Sequence, residues 1–318
     1  MTLTKVSFAP GVNKEGTEYT ADAGWFDSDK IRFRKGRVEK IGGWQKYTDQ
    51  SFLGVCRSLH NWSSLESINY LGVGTNLKFY VAEGAGYNDV TPLRLTTGAG
   101  DATFAATNGS STITVTENGH GAVVNDFVTF SSAASLGGLI TAAVLNQEYQ
   151  ITSVPTTNTF TITAKDTNGT EVIANSSDTG NGGSSTVAAY QINTGLNTFV
   201  QGTGWGAGTW SSGTWGSSSS IAAAGQLRLF SQDNFGEDLV FNVRGGGVYY
   251  WDESSGTGTR AIEIGSLAGA SNTPVVALKI LVSDVDQHVI AFGSNPIGSS
   301  TIDPLLVRFS DQENAADW

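Results

Sequence analysis

Three times along this 318-residue chain a short apolar run breaks at a turn and resumes as a second short run, aromatic-rich in the first two copies. Tyr70-Leu71-Gly72-Val73-Gly74 turns at Thr75-Asn76 and returns as Leu77-Lys78-Phe79-Tyr80-Val81. Asp238-Leu239-Val240-Phe241-Asn242-Val243 passes through Arg244-Gly245-Gly246-Gly247 into Val248-Tyr249-Tyr250-Trp251-Asp252. More loosely, His288-Val289-Ile290-Ala291-Phe292-Gly293 is followed by a turn-rich loop and Leu305-Leu306-Val307-Arg308-Phe309-Ser310. Runs of this length separated by turn residues form hairpins, not helices. Repeated hairpins predict an all-β chain, as blades of a β-propeller-like platform. The spacing is irregular, so a sandwich stays open as the alternative.

Composition agrees. Gly at 40 is about twice the usual share of about 7 %. Charged residues make up only 15 %, against a usual value of about 25 %. Neutral hydroxyls and amides suit strands and tight turns better than helix faces. The nearest approach to a helix is Ser217 to Leu229, which begins in a serine run and contains Gly225.

The text from about residue 96 to 186 differs from the rest and is expected to be a small inserted β domain. Its strands alternate clearly: Ser111 to Thr116, Phe127 to Phe130, Glu148 to Ile151 and Thr159 to Thr163, followed by a turn at Asp166-Thr167-Asn168-Gly169-Thr170. Its flanks, Gly98-Ala99-Gly100 and Asn175 to Ser185, are low in complexity, as insertion at a loop tip allows. The expected organisation is therefore an N-terminal basic arm over 1–50, a propeller-like domain over 51–95 and 187–318, and the insert between. The chain stops directly after a core strand, in Asp311-Gln312-Glu313-Asn314-Ala315-Ala316-Asp317-Trp318, so either a platform continued by further sequence or a propeller that closes in an unusual way is expected.

The first 50 residues hold half of the 18 basic residues. Lys30, Arg32, Arg34, Lys35, Arg37 and Lys40 alternate with Ile31, Phe33, Val38 and Ile41, and Lys35-Gly36 reads as a hairpin turn. A one-sided basic β ribbon of this kind is a candidate contact for a neighbouring subunit or adaptor; an ordinary solvated face is the alternative. Trp205, Trp210 and Trp215, five residues apart among glycines, are either anchors under a loop or rings presented to a neighbour or a glycan.

Other function classes find little support. A net charge of −11 argues against a broad phosphate-gripping surface, though a repelling wall can still let DNA slide past. The single cysteine, Cys56, excludes an intramolecular disulfide and reads as a small core residue. No apolar run of 18 residues and no leader-like N-terminus predict neither membrane span nor secretion. His60, His120 and His288 lie in separate texts without metal spacing, and His120 between two glycines reads as a turn residue. No GxSxG elbow occurs. Asp284 and Asp286 lie two apart and share a strand face if Leu281 to His288 is extended, and Asp27 and Asp29 have the same spacing; solvated or salt-bridged carboxylates are the better reading of both pairs. No catalytic, metal or cofactor residue is assigned, and the chain is expected to be non-enzymatic.

Several segments resemble a widespread group of tailed-phage structural proteins: Phe8 to Thr17, Gly24 to Gly36, Glu39 to Trp44, Leu71 to Lys78, Asn234 to Leu239 and Arg308 to Glu313. That group is similar in plan to the propeller-like tail nozzle, or packaged-DNA stabilisation, proteins of short-tailed phages. The insert, through Gly119-His120-Gly121 and Asp126-Phe127-Val128-Thr129-Phe130, is similar to a small β-barrel of ubiquitin-activating enzymes. The resemblance implies a virion tail protein assembled in the host cytoplasm and active in genome ejection. It implies a ring of six identical subunits around the DNA path, with portal or adaptor and tail fibre proteins as partners. A host-surface glycan-binding tail protein is the runner-up, and a propeller glycosidase using Asp284 and Asp286 stands third.

Overall fold

A computed structural model describes residues 9–17, 19, 24–43, 45–46, 48–177, 180–198 and 227–318. The chain divides into two compact units, Met1–Asp49 and Gln50–Trp318.

In the first unit, β1 (Ile31–Arg34) pairs antiparallel with β2 (Arg37–Lys40). Lys35 and Gly36 both have positive φ, 49° and 72°, the backbone that a two-residue turn needs to follow strand twist. Trp25 meets Phe33 edge-on at 6.1 Å, giving the hairpin a small apolar face.

The second unit opens with a four-stranded antiparallel meander: β3 (Cys56–Ser63), β4 (Asn69–Thr75), β5 (Phe79–Glu83) and β6 (Gly86–Asp89), hydrogen-bonded in that order. Phe52 to Cys56 is not a core run, since Leu53 and Val55 are exposed and Cys56 is half-buried.

The next stretch forms two sheets. They are built from β7 (Leu93–Thr96), β8 (Thr103–Ala106), β9 (Thr112–Thr116), β10 (Phe127–Ser131), β11 (Glu148–Gln150), β12 (Ser153–Thr156), β13 (Thr159–Thr163) and β14 (Val187–Gln191). One sheet has the order β11-β10-β14-β7 and the other β12-β13-β9-β8. Alternating inward residues pack the two faces together: Phe104 against Phe130 at 4.8 Å, and Phe160 against Tyr190 at 6.0 Å. The expected barrel is thus a two-sheet sandwich with no closed barrel among the described residues, because the edges of the two sheets do not pair. A short helix, α1 (Ala142–Leu145), interrupts the strands, with Thr141 Oγ1 accepting from the Val144 amide at 3.4 Å. Entry strand β7 and exit strand β14 pair with each other, so the chain enters and leaves side by side.

Two further meanders follow. β15 (Phe230–Phe235), β16 (Asp238–Val243), β17 (Val248–Trp251) and β18 (Ile262–Glu263) form one four-stranded sheet. β19 (Lys279–Val282), β20 (Val289–Phe292) and β21 (Val307–Phe309) form a three-stranded one. The three hairpins legible in the sequence are β4–β5, β16–β17 and β20–β21, the same position in each blade-like sheet. The protein is all-β in architecture. Ser217 to Leu229 gives no helix where it can be followed: residues 217–226 lie outside the described residues, and Leu227 forms an isolated bridge to Leu196.

The middle sheet is buried on both faces, which explains why Leu239, Val240 and Phe241 stand side by side in β16. Leu239 and Phe241 face the first sheet, where Phe241 stacks on Phe79 at 3.8 Å, and Trp62, Tyr70 and Trp251 complete that core. Val240 and Val248 face the third sheet, with Ile280, Val282, Val289 and Ala291. First strands also meet. Ser231 Oγ and Asp233 Oδ2 accept from the edge amides of Ile280 and Val282, at 2.9 and 3.0 Å, while Gln232 Nε2 donates to Ser58 Oγ at 3.0 Å. Gly72 and Gly74 make room for this strand, because a Cβ there would lie 2.3 Å from Gln232 and 2.6 Å from Phe230.

Candidate functional site

The basic hairpin is the first candidate. Register pairs Arg32 with Glu39 and Arg34 with Arg37 on one face, and Ile31 with Lys40 and Phe33 with Val38 on the other. Of the six basic residues, Arg32, Arg34 and Arg37 share a face. Lys35 sits in the turn, Lys30 precedes the strand at φ 56°, and Lys40 falls on the apolar face, contrary to a purely one-sided ribbon. Glu39 holds Arg32 at 3.3 Å and Asp29 lies 3.7 Å from Lys30. Among the described residues no ion pair engages Arg34, Lys35, Arg37 or Lys40. Two like charges facing each other across Arg34 and Arg37 cost stability, so the pair is not there to hold the hairpin.

Trp205, Trp210 and Trp215 lie outside the described residues. The acidic pairs resolve simply. Asp284 and Asp286 sit on an exposed turn between β19 and β20, closed by Gln287 N donating to Ser283 O at 2.9 Å, so they do not share a strand face. Lys14 donates to Asp27 at 3.1 Å and holds its carboxyl below the usual range.

Each histidine has its own neighbours. His60 stacks on Trp62 at 5.8 Å and lies 3.3 Å from Asn234 Oδ1. His120 is in a turn but fully buried: Nδ1 accepts from the Ala122 amide at 3.0 Å, and the ring meets Phe160 at 5.0 Å. Burial pulls its pKa down, which keeps it neutral. His288 Nδ1 lies 2.8 Å from Ser310 O. Among the described residues no group of three His, Cys, Asp or Glu is placed to hold a metal ion, and no helix is long and apolar enough to cross a membrane.

The convergence of charge that the sequence did not show lies where the sandwich meets the blades. Lys78 of the first hairpin turn is 4 % exposed and donates to Asp89 at 2.8 Å and to Glu148 of β11. Arg260 lies 3.4 Å from Asp89 and 3.5 Å from Glu148. Gln191 Nε2 donates to Glu148 at 2.7 Å, and the Lys78 ammonium sits 4.3 Å over the Phe127 ring. Burial pushes the Asp89 carboxyl up, but Lys78 and Arg260 outweigh it and hold the group below its ordinary value. Two cations and two carboxylates therefore meet at one junction, and each of the four is engaged by its neighbours. That arrangement locks one module to another. Its partners lie far apart in the chain, so no local motif could have revealed it.

The geometry defines an all-β protein of blade-like sheets carrying a sandwich between its first and second blades, with a cationic hairpin at its N-terminal side in sequence. No protein-family model and no curated protein matches the chain. Among solved structures it is similar to the phage phi92 endosialidase, at 12 % identity and a TM-score of 0.23, over 86 % of this chain and 40 % of that one. The chain thus spans well under half the length of that protein, and a likeness at this score supports no statement about activity.

Proposed function

We propose that this chain is a structural component of a phage tail, of the nozzle or hub kind. In this reading it docks on the head-to-tail adaptor and, in a ring of identical subunits, surrounds the path of the DNA, with no catalytic role. The observation that carries the reading is the sequence of blade-like sheets whose first strands bind one another through Ser231, Gln232 and Asp233. The cations Arg34, Lys35 and Arg37 at the hairpin tip, in no ion pair among the described residues, supply a docking element for an acidic neighbour. The acidic balance of the whole chain, −11, suits a wall that repels passing DNA. The segments that resemble tailed-phage structural proteins point the same way.

The test is a charge reversal, Lys35→Glu with Arg37→Glu, in the phage. The fold should be unchanged by circular dichroism while incorporation into particles falls at least tenfold. Normal incorporation would remove the docking role. The three-tryptophan segment favours a second reading, glycan binding at the host surface. Glycan binding lost on Trp210→Ala, with assembly intact, would select it.

A further inference from the structure

A second charged junction between sandwich and blades is not balanced. Arg94, on β7, and Arg228, just before β15, both line a cleft of about 310 Å³ together with Ile192, Asn193, Val243 and Tyr249. Arg228 is only 8 % exposed, and its side chain lies against Gly195, where a Cβ would come within 2.4 Å. Its guanidinium donates to Asn193 O and sits 5.2 Å from the Phe230 ring centre. Arg94 donates to His120 O at 2.7 Å and sits 5.0 Å from the Tyr190 ring centre. Neither arginine has a carboxylate within ion-pair distance among the described residues, and the Nε of each is buried without a hydrogen-bond partner.

Neither acid that acts on the two arginines pairs with them: Glu117 attracts Arg94 but accepts from the Tyr190 hydroxyl. Asp126 is fully buried and attracts Arg228 from a distance. Its oxygens already accept from Val123 N at 2.9 Å, Asn193 Nδ2 at 2.7 Å, and Thr194 N and Oγ1 at 2.7 and 3.0 Å. Burial draws the Arg228 pKa down to about 10, so the group still carries its charge at neutral pH. A buried, unpaired cation is costly and is normally compensated. The wall beside it is bare backbone at Gly246 and Gly247, and a Cβ on Gly247 would lie 2.6 Å from the Tyr249 hydroxyl. Residues 199–226 contain no Asp or Glu, so that neighbouring stretch of chain brings no carboxylate.

We propose that this cleft is a binding site for a small oxyanion, a carboxylate or phosphate head group gripped by Arg94 and Arg228. Two guanidinium groups suit either head, since each can present paired N–H donors to two oxygens. Ile192, Val243 and Tyr249 leave room for a compact apolar or ring-shaped body behind it. The site is independent of the nozzle reading.

The experiment is thermal unfolding of the full chain titrated with sodium phosphate and, separately, sodium acetate, each against sodium chloride at equal ionic strength. A saturable rise in melting temperature of about 2–4 °C is expected with at least one anion. The anion that acts identifies the head group. Arg94→Gln should weaken the response roughly tenfold, and Arg94→Lys should retain part of it. No response beyond chloride, or an undiminished one in Arg94→Gln, overturns the proposal. Arg228→Leu should abolish the response; should that variant not fold, the Arg94→Gln titration decides.

Discussion

The sandwich and the blades bury their apolar side chains in opposite ways. Every residue of the sandwich core, from Ala102 to Tyr190, belongs to the sandwich itself. The blades have no private core. Their two clusters are assembled between sheets, one from the first and second, the other from the second and third, and β16 contributes to both. A module with its own core can be placed at a loop and keep its structure. A sheet that depends on its neighbour for half its burial exists only in a series, which is the logic of a propeller or an assembly. The outer sheets show the consequence, since Leu59 of the first and Phe309 of the third remain largely exposed at 63 % and 64 %.

The largest effects should come from breaking each core alone. Phe241→Ala removes the ring stacked on Phe79, and about 4 kcal/mol of stability with it. Hydrogen exchange should then quicken in all three blades while the sandwich amides stay protected. Phe160→Ala should do the reverse at similar magnitude. If both variants loosen both modules equally, the distinction between private and shared cores is wrong.

The junction that ties the modules is the next test. Lys78→Met leaves Asp89 and Glu148 facing each other with only Arg260 between them, and should cost about 3 kcal/mol in urea unfolding. Acid should imitate the substitution. The folded pKa of Asp89 is depressed, so its contribution is present above the unfolded value of about 3.9 and is lost as pH falls through the folded one. The junction should therefore hold at neutral pH and open below about pH 4, seen as faster exchange at β6 and β11. A junction equally stable at pH 3 and pH 7 would contradict this.

The smallest effect has the opposite sign. Burial raises the Glu117 carboxyl inside the sandwich despite the Tyr190 hydroxyl that donates to it. A raised carboxylate favours folding below its unfolded pKa and loses that contribution as pH rises through the folded value. At pH 7 the ionised group is a burden, so Glu117→Gln should raise stability by up to about 1 kcal/mol. A clear loss on calorimetry would show that the ionised pair is favourable as it stands.

The same contrast explains what the sequence revealed. The hairpins β4–β5, β16–β17 and β20–β21 were legible because their strands are short apolar runs between turn residues. The sandwich strands β9 and β13 were legible because their residues alternate between a buried and a more exposed face. Strand β15 was not, because Phe230-Ser231-Gln232-Asp233-Asn234-Phe235 uses its polar side chains to bind the neighbouring blades, and no apolar period marks it. Barrel and sandwich share the same alternation, so only the pairing of edges separates them. In the hairpin, Lys40 was placed with the other cations by proximity in sequence, whereas its register pairs it with Ile31. Both charged junctions were invisible for a simpler reason: residues such as Lys78 and Glu148 meet only after the sandwich has folded onto the blades.

The central claim, that the blades are part of a larger ring, is tested most directly by imaging intact virus particles and locating this chain. The account predicts a closed ring on the tail axis with the blade sheets around the DNA path. A peripheral appendage, monomeric or trimeric and off the axis, would contradict it.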